Sequence, residues 1–161
     1  MSFRVPPVSS ASSARRLQLA GLLSAVLLAG CATPPQPDPD AHLVTLHTRL
    51  AGTNEVPPTA SMGTGTVDAV LDRNTLLFRW KMGYTNLSGP ATVAHFHGPA
   101  TIGANAAPAL TMAPPLAESY TGSATLTAAQ AADLLAGRWY ANVHTARYPA
   151  GEMRGQMIQV K

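Results

Sequence analysis

From His42 onward, hydrophobic and polar residues alternate with a period of two. In "TLLFRWKMGY", Leu76, Phe78, Trp80, Met82 and Tyr84 share one face and Arg79 and Lys81 the other, the pattern of a strand with one face on a core. "GTVDAVL" ahead of it alternates Val67, Ala69 and Leu71, and the intervening "DRN", Asp72 to Asn74, has the chemistry of a hairpin turn. "HLVTLHTRL" alternates Val44, Leu46 and Leu50 with Thr45, His47 and Arg49, which predicts a first strand with His47 on its wet face. Further strands are expected at "ATVAHFHG", "SYTGSATL", "RWYANVHT" and "EMRGQMIQVK". One stretch departs from this period. "LTAAQAADLLAGR" places Thr127 as an N-cap, Gln130 three residues on to complete a capping box, and Gly137 as a stop, so a short helix belongs there, with Leu134 and Leu135 covering an end of the strands. About seven strands separated by turn signals predict an all-β fold, an antiparallel Greek-key β-sandwich, with the short helix before the penultimate strand.

The start of the chain follows another pattern. Arg4, Arg15 and Arg16 precede "LQLAGLLSAVLLAG", an uncharged run whose length fits a signal-peptide core and falls short of the roughly 20 residues a spanning helix needs. Residues 1–30 are therefore expected to be a signal peptide and not part of the fold. The run ends in "LLAGC", which resembles the lipobox of bacterial lipoproteins and makes Cys31, the single cysteine, the expected lipidation site. That resemblance implies a diacylglyceryl thioether on Cys31 and an acylated amine, and two or more acyl chains anchor stably where one holds only marginally. Ala32 stands where an aspartate would resemble an inner-membrane retention signal, so the outer membrane of a bacterial envelope is the expected address. Residues 31–41, with "ATPPQPDPDA", read as a lipidated, proline-rich extended tether, and residues 42–161 as one domain.

Removing the leader changes the charge picture. Of eleven Lys and Arg, three precede Cys31, which leaves eight cations against eight Asp and Glu in the mature chain. No basic stripe remains to neutralise phosphates, so nucleic acid is not an expected partner. With one cysteine there is no intramolecular disulfide, and the domain must rest on its own core. No phosphate-cradling glycine motif and no serine in a nucleophile-elbow setting occur.

Three clusters carry the remaining information: "LAGTNEVPP" at 50–58, "AHFHGPA" at 94–100 and "YANVHTARYPAGEMRGQM" at 140–157. In this order and spacing they resemble the CHRD domain, a module named for its occurrence in chordin and found singly in many bacterial exported proteins. The resemblance covers essentially all of residues 42–161. It implies an extracellular β module without a general catalytic activity. Growth-factor binding belongs to the multidomain animal members and is not implied for an isolated domain.

The residues themselves offer one constellation. His95 and His97 stand at i and i+2, on one face of a strand, with Phe96 opposite. In "RWYANVHT", Trp139, Ala141 and Val143 alternate with Tyr140, Asn142 and His144, so His144 can join the pair if the two strands are neighbours. Three imidazoles suit zinc or copper. Tyr148, Glu152 and Arg154 are the expected rim. A hydrogen-bond network, in which the histidines satisfy the turns "HGPA" and "RYPAGE" and Glu152 pairs with Arg154, and recognition of some other ligand are the competing readings. His42 and His47 are expected to be solvated. Pro57 and Pro58 cannot donate to a ladder and end the first strand or mark a bulge, and Glu55 is the charge there able to reach a partner. The expected function is thus a lipid-anchored envelope protein acting as a binding or structural module for an envelope protein or small ligand, with a metal-dependent redox-type enzyme as the alternative.

Overall fold

The computed structural model describes residue 36, residues 38–112 and residues 116–160. The expected signal peptide, Cys31 and most of the tether lie outside the described residues, which belong to the unit Gln36–Lys161. The end of the tether is turned and not extended, because the Asp38 carboxylate accepts from the Asp40 N–H (2.9 Å) and the Leu43 N–H donates to Asp40 O (2.8 Å).

The period-two segments become a meander of three nine-residue strands, β1 (Leu43–Ala51), β2 (Thr64–Asp72) and β3 (Leu77–Thr85). Their inward positions, Leu46, Leu50, Val67, Leu71, Phe78 and Met82, are buried, as alternation requires. The Asp72 side chain closes the predicted turn by accepting from the N–H groups of Asn74 (2.8 Å) and Thr75 (3.2 Å). Beyond the meander follow β4 (Ala91–His97), β5 (Pro108–Met112), β6 (Ser119–Thr125), the helix α1 (Ala128–Leu135), β7 (Tyr140–Thr145), β8 (Met153–Gln156) and β9 (Ile158–Gln159). The helix is capped as its sequence requires, with the Gln130 N–H donating to Thr127 Oγ1 (3.2 Å) and the Thr127 N–H to Gln130 Oε1 (2.9 Å). Leu134 is fully buried and Leu135 packs against the core.

The strands join in one sheet, in the order β5-β4-β7-β8-β1-β2-β3-β6, with β9 paired to β1. All its pairings are antiparallel. The expected all-β antiparallel fold is met, with the strands in one nearly closed sheet in place of a clean sandwich. The halves β5-β4-β7-β8 and β1-β2-β3-β6 are continuous through a short β8–β1 contact at Ala51 and Arg154, and the sheet curls until it is nearly closed. Gly155 makes the join possible, because a Cβ there would stand 2.3 Å from both Arg49 O and Thr48 Oγ1. Greek-key connectivity survives, since β4 and β5 lie in one half while β6 returns to pair with β3 in the other. Inside the curl Phe78 and Trp80 of β3 meet Phe96 of β4 edge-on, with ring centroids 5.1 and 5.2 Å apart.

A second buried layer was not predicted. Every residue of β7 is buried, although only Ala141 and Val143 belong to the apolar core. The opposite face, Tyr140, Asn142 and His144, is roofed by two connections, 52–58 after β1 and 98–107 after β4. The roof is tied down by Asn105 Nδ2 donating to Val56 O (3.1 Å) and by Arg154 Nε donating to Asn54 O (2.7 Å). This polar layer holds the candidate site.

Candidate functional site

Register builds the site. β4 and β7 pair so that His95 lies opposite Asn142, His97 opposite Tyr140 and Val93 opposite His144. The pleat then sends Ala94, Phe96, Ala141 and Val143 into the apolar core and the histidines to the roofed face. His95, His97 and His144 converge, with one ring nitrogen from each inside a 4.8 Å span. His95 Nδ1 is 3.1 Å from His144 Nε2. His97 and His144 are each 7 % exposed, while His95 is half-buried and gives the cluster its open side.

The backbone fixes two of the rings. His97 Nδ1–H donates to Ala106 O (2.8 Å) and His144 Nδ1–H donates to Pro149 O (3.0 Å). Each bond leaves Nε2 as the lone-pair nitrogen of the neutral ring, turned inward. Burial lowers the pKa of His95, and the neighbouring His144 and His97 lower it further. Burial also lowers that of His144, with the Pro149 carbonyl opposing and His97 adding to the fall. Both therefore favour the neutral, ligating form at pH 7. Tyr140 stacks flat on His97 at 4.8 Å, and the Arg154 guanidinium lies 4.6 Å over the other partner in that stack, the Tyr140 ring.

The expected rim is dispersed. Arg154 acts through Tyr140 and is spent on the roof, with Nη1 donating to Asn105 Oδ1 (2.8 Å) and Nε 3.8 Å from Glu55 Oε2. Glu152 does not pair with Arg154. It is fully buried and accepts from Ser61 Oγ (2.6 Å), the Ser88 N–H (2.8 Å), Ser88 Oγ (2.7 Å) and Thr145 Oγ1 (2.5 Å). Tyr148 lines a separate cleft with Ser61, Ser88 and Arg147. The three histidines stand together, and the side-chain hydrogen bonds of Glu152 and Arg154 go to other partners. His47 pairs with Asp68 on the wet face (2.7 Å).

Two residues enter that sequence reasoning did not assign to the site. Asn142 Oδ1 is 3.0 Å from His97 Nε2 and 3.0 Å from His144 Nε2. Its same-face spacing with His144 in "YANVHT" was the available signal. Glu55, expected as the charge able to reach a partner, is 6 % exposed, and burial pushes its pKa up to about 7 against the opposing effect of Arg154 and the Val56 N–H. Its Oε1 has no hydrogen-bond partner.

Compared with known protein families, residues 46–157 match the CHRD domain. The chain belongs to the CHRD domain family. The match spans all three histidines, Asn142, Glu55, Glu152 and Arg154, and it begins after Cys31 and the tether. No curated protein and no solved structure matches this CHRD protein. The membership supports a binding or structural module on a β fold. Among the described residues no helix is long and apolar enough to cross a membrane.

Proposed function

We propose that this CHRD domain is a metal-binding module that holds one zinc or copper(II) ion through His95, His97 and His144, and that lipid on Cys31 keeps it at the cell envelope. The observation that carries the reading is the pair of Nδ1–H bonds to Ala106 O and Pro149 O, which turn both Nε2 lone pairs inward, that of His144 to 3.1 Å from His95 Nδ1. Metal-ligating histidines characteristically donate their other ring N–H in this way, which fixes the tautomer and raises the basicity of the ligating nitrogen. A tetrahedral ion with bonds of about 2.05 Å places its ligands about 3.3 Å apart; the His95 to His144 separation of 3.1 Å already suits it, and the wider pair within the 4.8 Å span closes on binding. Imidazole suits zinc and copper equally, so the ligand set names the class of ion.

The test is calorimetric titration of chelator-stripped, detergent-solubilised full-length protein with zinc and with copper(II). One ion per chain is expected to bind at neutral pH and to be released as acid protonates the imidazoles. His95→Ala is expected to weaken binding by at least about 100-fold, the upper end of the cost of losing a mere outer-shell partner. Absence of binding, or an unchanged His95→Ala variant, would overturn the assignment.

The anchor is tested separately. "LLAGC" after a charged, apolar leader supports lipidation of Cys31, with the outer membrane as its address. Cys31→Ser is expected to leave an uncleaved, unlipidated precursor. An unmodified Cys31 in the wild-type membrane fraction, read by mass spectrometry, would exclude the anchor.

A further inference from the structure

We infer that Asn142 supplies the fourth ligand to this ion through its side-chain oxygen, so that the centre is a set of three nitrogens and one oxygen. The inference rests on the metal reading above and deepens it. Three contacts define the geometry: Asn142 Oδ1 to His97 Nε2 (3.0 Å), Asn142 Oδ1 to His144 Nε2 (3.0 Å) and His144 Nε2 to His95 Nδ1 (3.1 Å).

The protons are already placed elsewhere. The Nδ1–H groups of His97 and His144 are committed to Ala106 O and Pro149 O, so both Nε2 atoms present lone pairs. An amide oxygen also presents only lone pairs. Asn142 Oδ1 therefore faces two lone-pair nitrogens, acceptors that repel at this range unless a cation lies among them, whereas the His95 ring can donate its Nδ1–H to His144 Nε2. These three contacts are close to the roughly 3.3 Å edge of a tetrahedron with bonds of about 2.05 Å, and the widest pair of histidine nitrogens, inside the 4.8 Å span, must draw inward to seat the ion.

Turning the amide over gives the rival arrangement. Its NH2 group would then donate to both Nε2 lone pairs and close the cluster without metal. The far side of Asn142 argues against that. Glu55 Oε1, buried and without a hydrogen-bond partner, lies 2.6 Å from the point a Cβ on Gly151 would occupy, and Asn142 Nδ2 lies 3.0 Å from the same point. As placed, the amide NH2 shares this space with a carboxylate oxygen that lacks a donor. Reversed, it would bring a second acceptor there. Gly151, at φ +133°, keeps the space open, and no other residue adopts that conformation without strain. An amide oxygen beside three imidazoles also favours zinc or copper(II) over copper(I), which selects softer ligands.

The experiment compares wild type, Asn142→Ala and Asn142→Asp as stripped, detergent-solubilised full-length protein titrated with zinc. If the oxygen is a ligand, Asn142→Ala weakens zinc binding by about 10- to 100-fold, at least the cost of an outer-shell loss. Asn142→Asp, which keeps an oxygen in place, matches or exceeds wild type. If Asn142 acts through its NH2 group, aspartate cannot replace those donors, and both variants lose affinity together. That result, or an Asn142→Ala variant equal to wild type, overturns the inference and leaves the three-histidine site standing. Should Asn142→Ala fail to fold, aspartate against wild type still decides, because weaker binding in Asn142→Asp rejects the oxygen as a ligand. Wild type that binds no zinc or copper(II) overturns the metal reading itself.

Discussion

Phe96→Ala is expected to destabilise the domain by about 3–5 kcal/mol, the usual range for truncating a buried phenylalanine. Phe96 has no exposed surface and is the point at which the two halves of the curled sheet meet. Its ring lies 5.1 Å from Phe78 and 5.2 Å from Trp80, both on β3, and 6.2 Å from Trp139. The variant therefore loses edge-on aromatic contacts, each worth about 0.5–1.5 kcal/mol beyond buried area, in addition to leaving a cavity. Equilibrium unfolding in urea should show a lower midpoint at an unchanged slope. Phe96→Leu, which keeps much of the volume, should cost clearly less. Because His95 and His97 flank Phe96 on β4, the alanine variant should also weaken metal uptake, which links core packing to the site. A loss below about 1 kcal/mol would mean that the two halves of the sheet do not depend on this contact.

The part of this arrangement that was legible is the part that alternation controls. A period of two placed Phe96 in the core, His95 and His97 on the other face, and His144 on the face away from Val143, and the structure pairs these strands so that the three rings meet. The helix was equally legible, because its cap, capping box and glycine stop are local in sequence. Two strand boundaries were not. β5 is five residues long, opens with a proline and buries only Met112, too little pattern to separate it from a loop. "EMRGQMIQVK" reads as one strand but is divided into β8 and β9 at Met157, whose N–H donates to Trp139 O (2.8 Å).

The roof was illegible for a different reason. Alternation assigns the Tyr140, Asn142 and His144 face to the side away from the core, and nothing local in the chain says that residues 52–58 and 98–107 will cover it. The burial of Glu55 and Arg154 is therefore not visible in the local pattern. Glu152 is hidden in the same way. It lies just before β8, where strand periodicity no longer applies, and two of its partners, Ser61 and Ser88, are 91 and 64 residues away in sequence.

Removing that carboxylate, in Glu152→Ala, is expected to cost about 3–5 kcal/mol. Four donors from three segments converge on it, and a buried donor left unsatisfied costs about 1–3 kcal/mol. A water drawn into the vacated polar space would recover part of the total. Glu152→Gln retains an oxygen for the Ser88 N–H and Ser61, and Ser88 Oγ and Thr145 Oγ1 can rotate to accept from the new amide, so it should cost less. The pH dependence supplies an independent check. Burial alone would raise the Glu152 pKa, but the hydrogen bonds from Ser61, Thr145 and Ser88 outweigh it and hold the carboxyl below the ordinary value of 4.5. The unfolded chain then binds the proton more readily than the folded one, so this stabilisation is complete above pH 4.5 and is lost as pH falls through the folded value. Glu55 acts with the opposite sign. Its pKa rises to about 7 on folding, so its contribution weakens stability as pH increases from 4.5 to 7. The lowered values of His95 and His144 make stability rise with pH below the ordinary imidazole value of 6.5, across part of the same window. Wild-type stability alone therefore mixes these groups, whereas the difference between wild type and Glu152→Gln isolates Glu152. That difference should be level above pH 4.5 and shrink below it, and a difference that instead changed between pH 5 and 7 would show that Glu152 is not ionised in the way its four donors require.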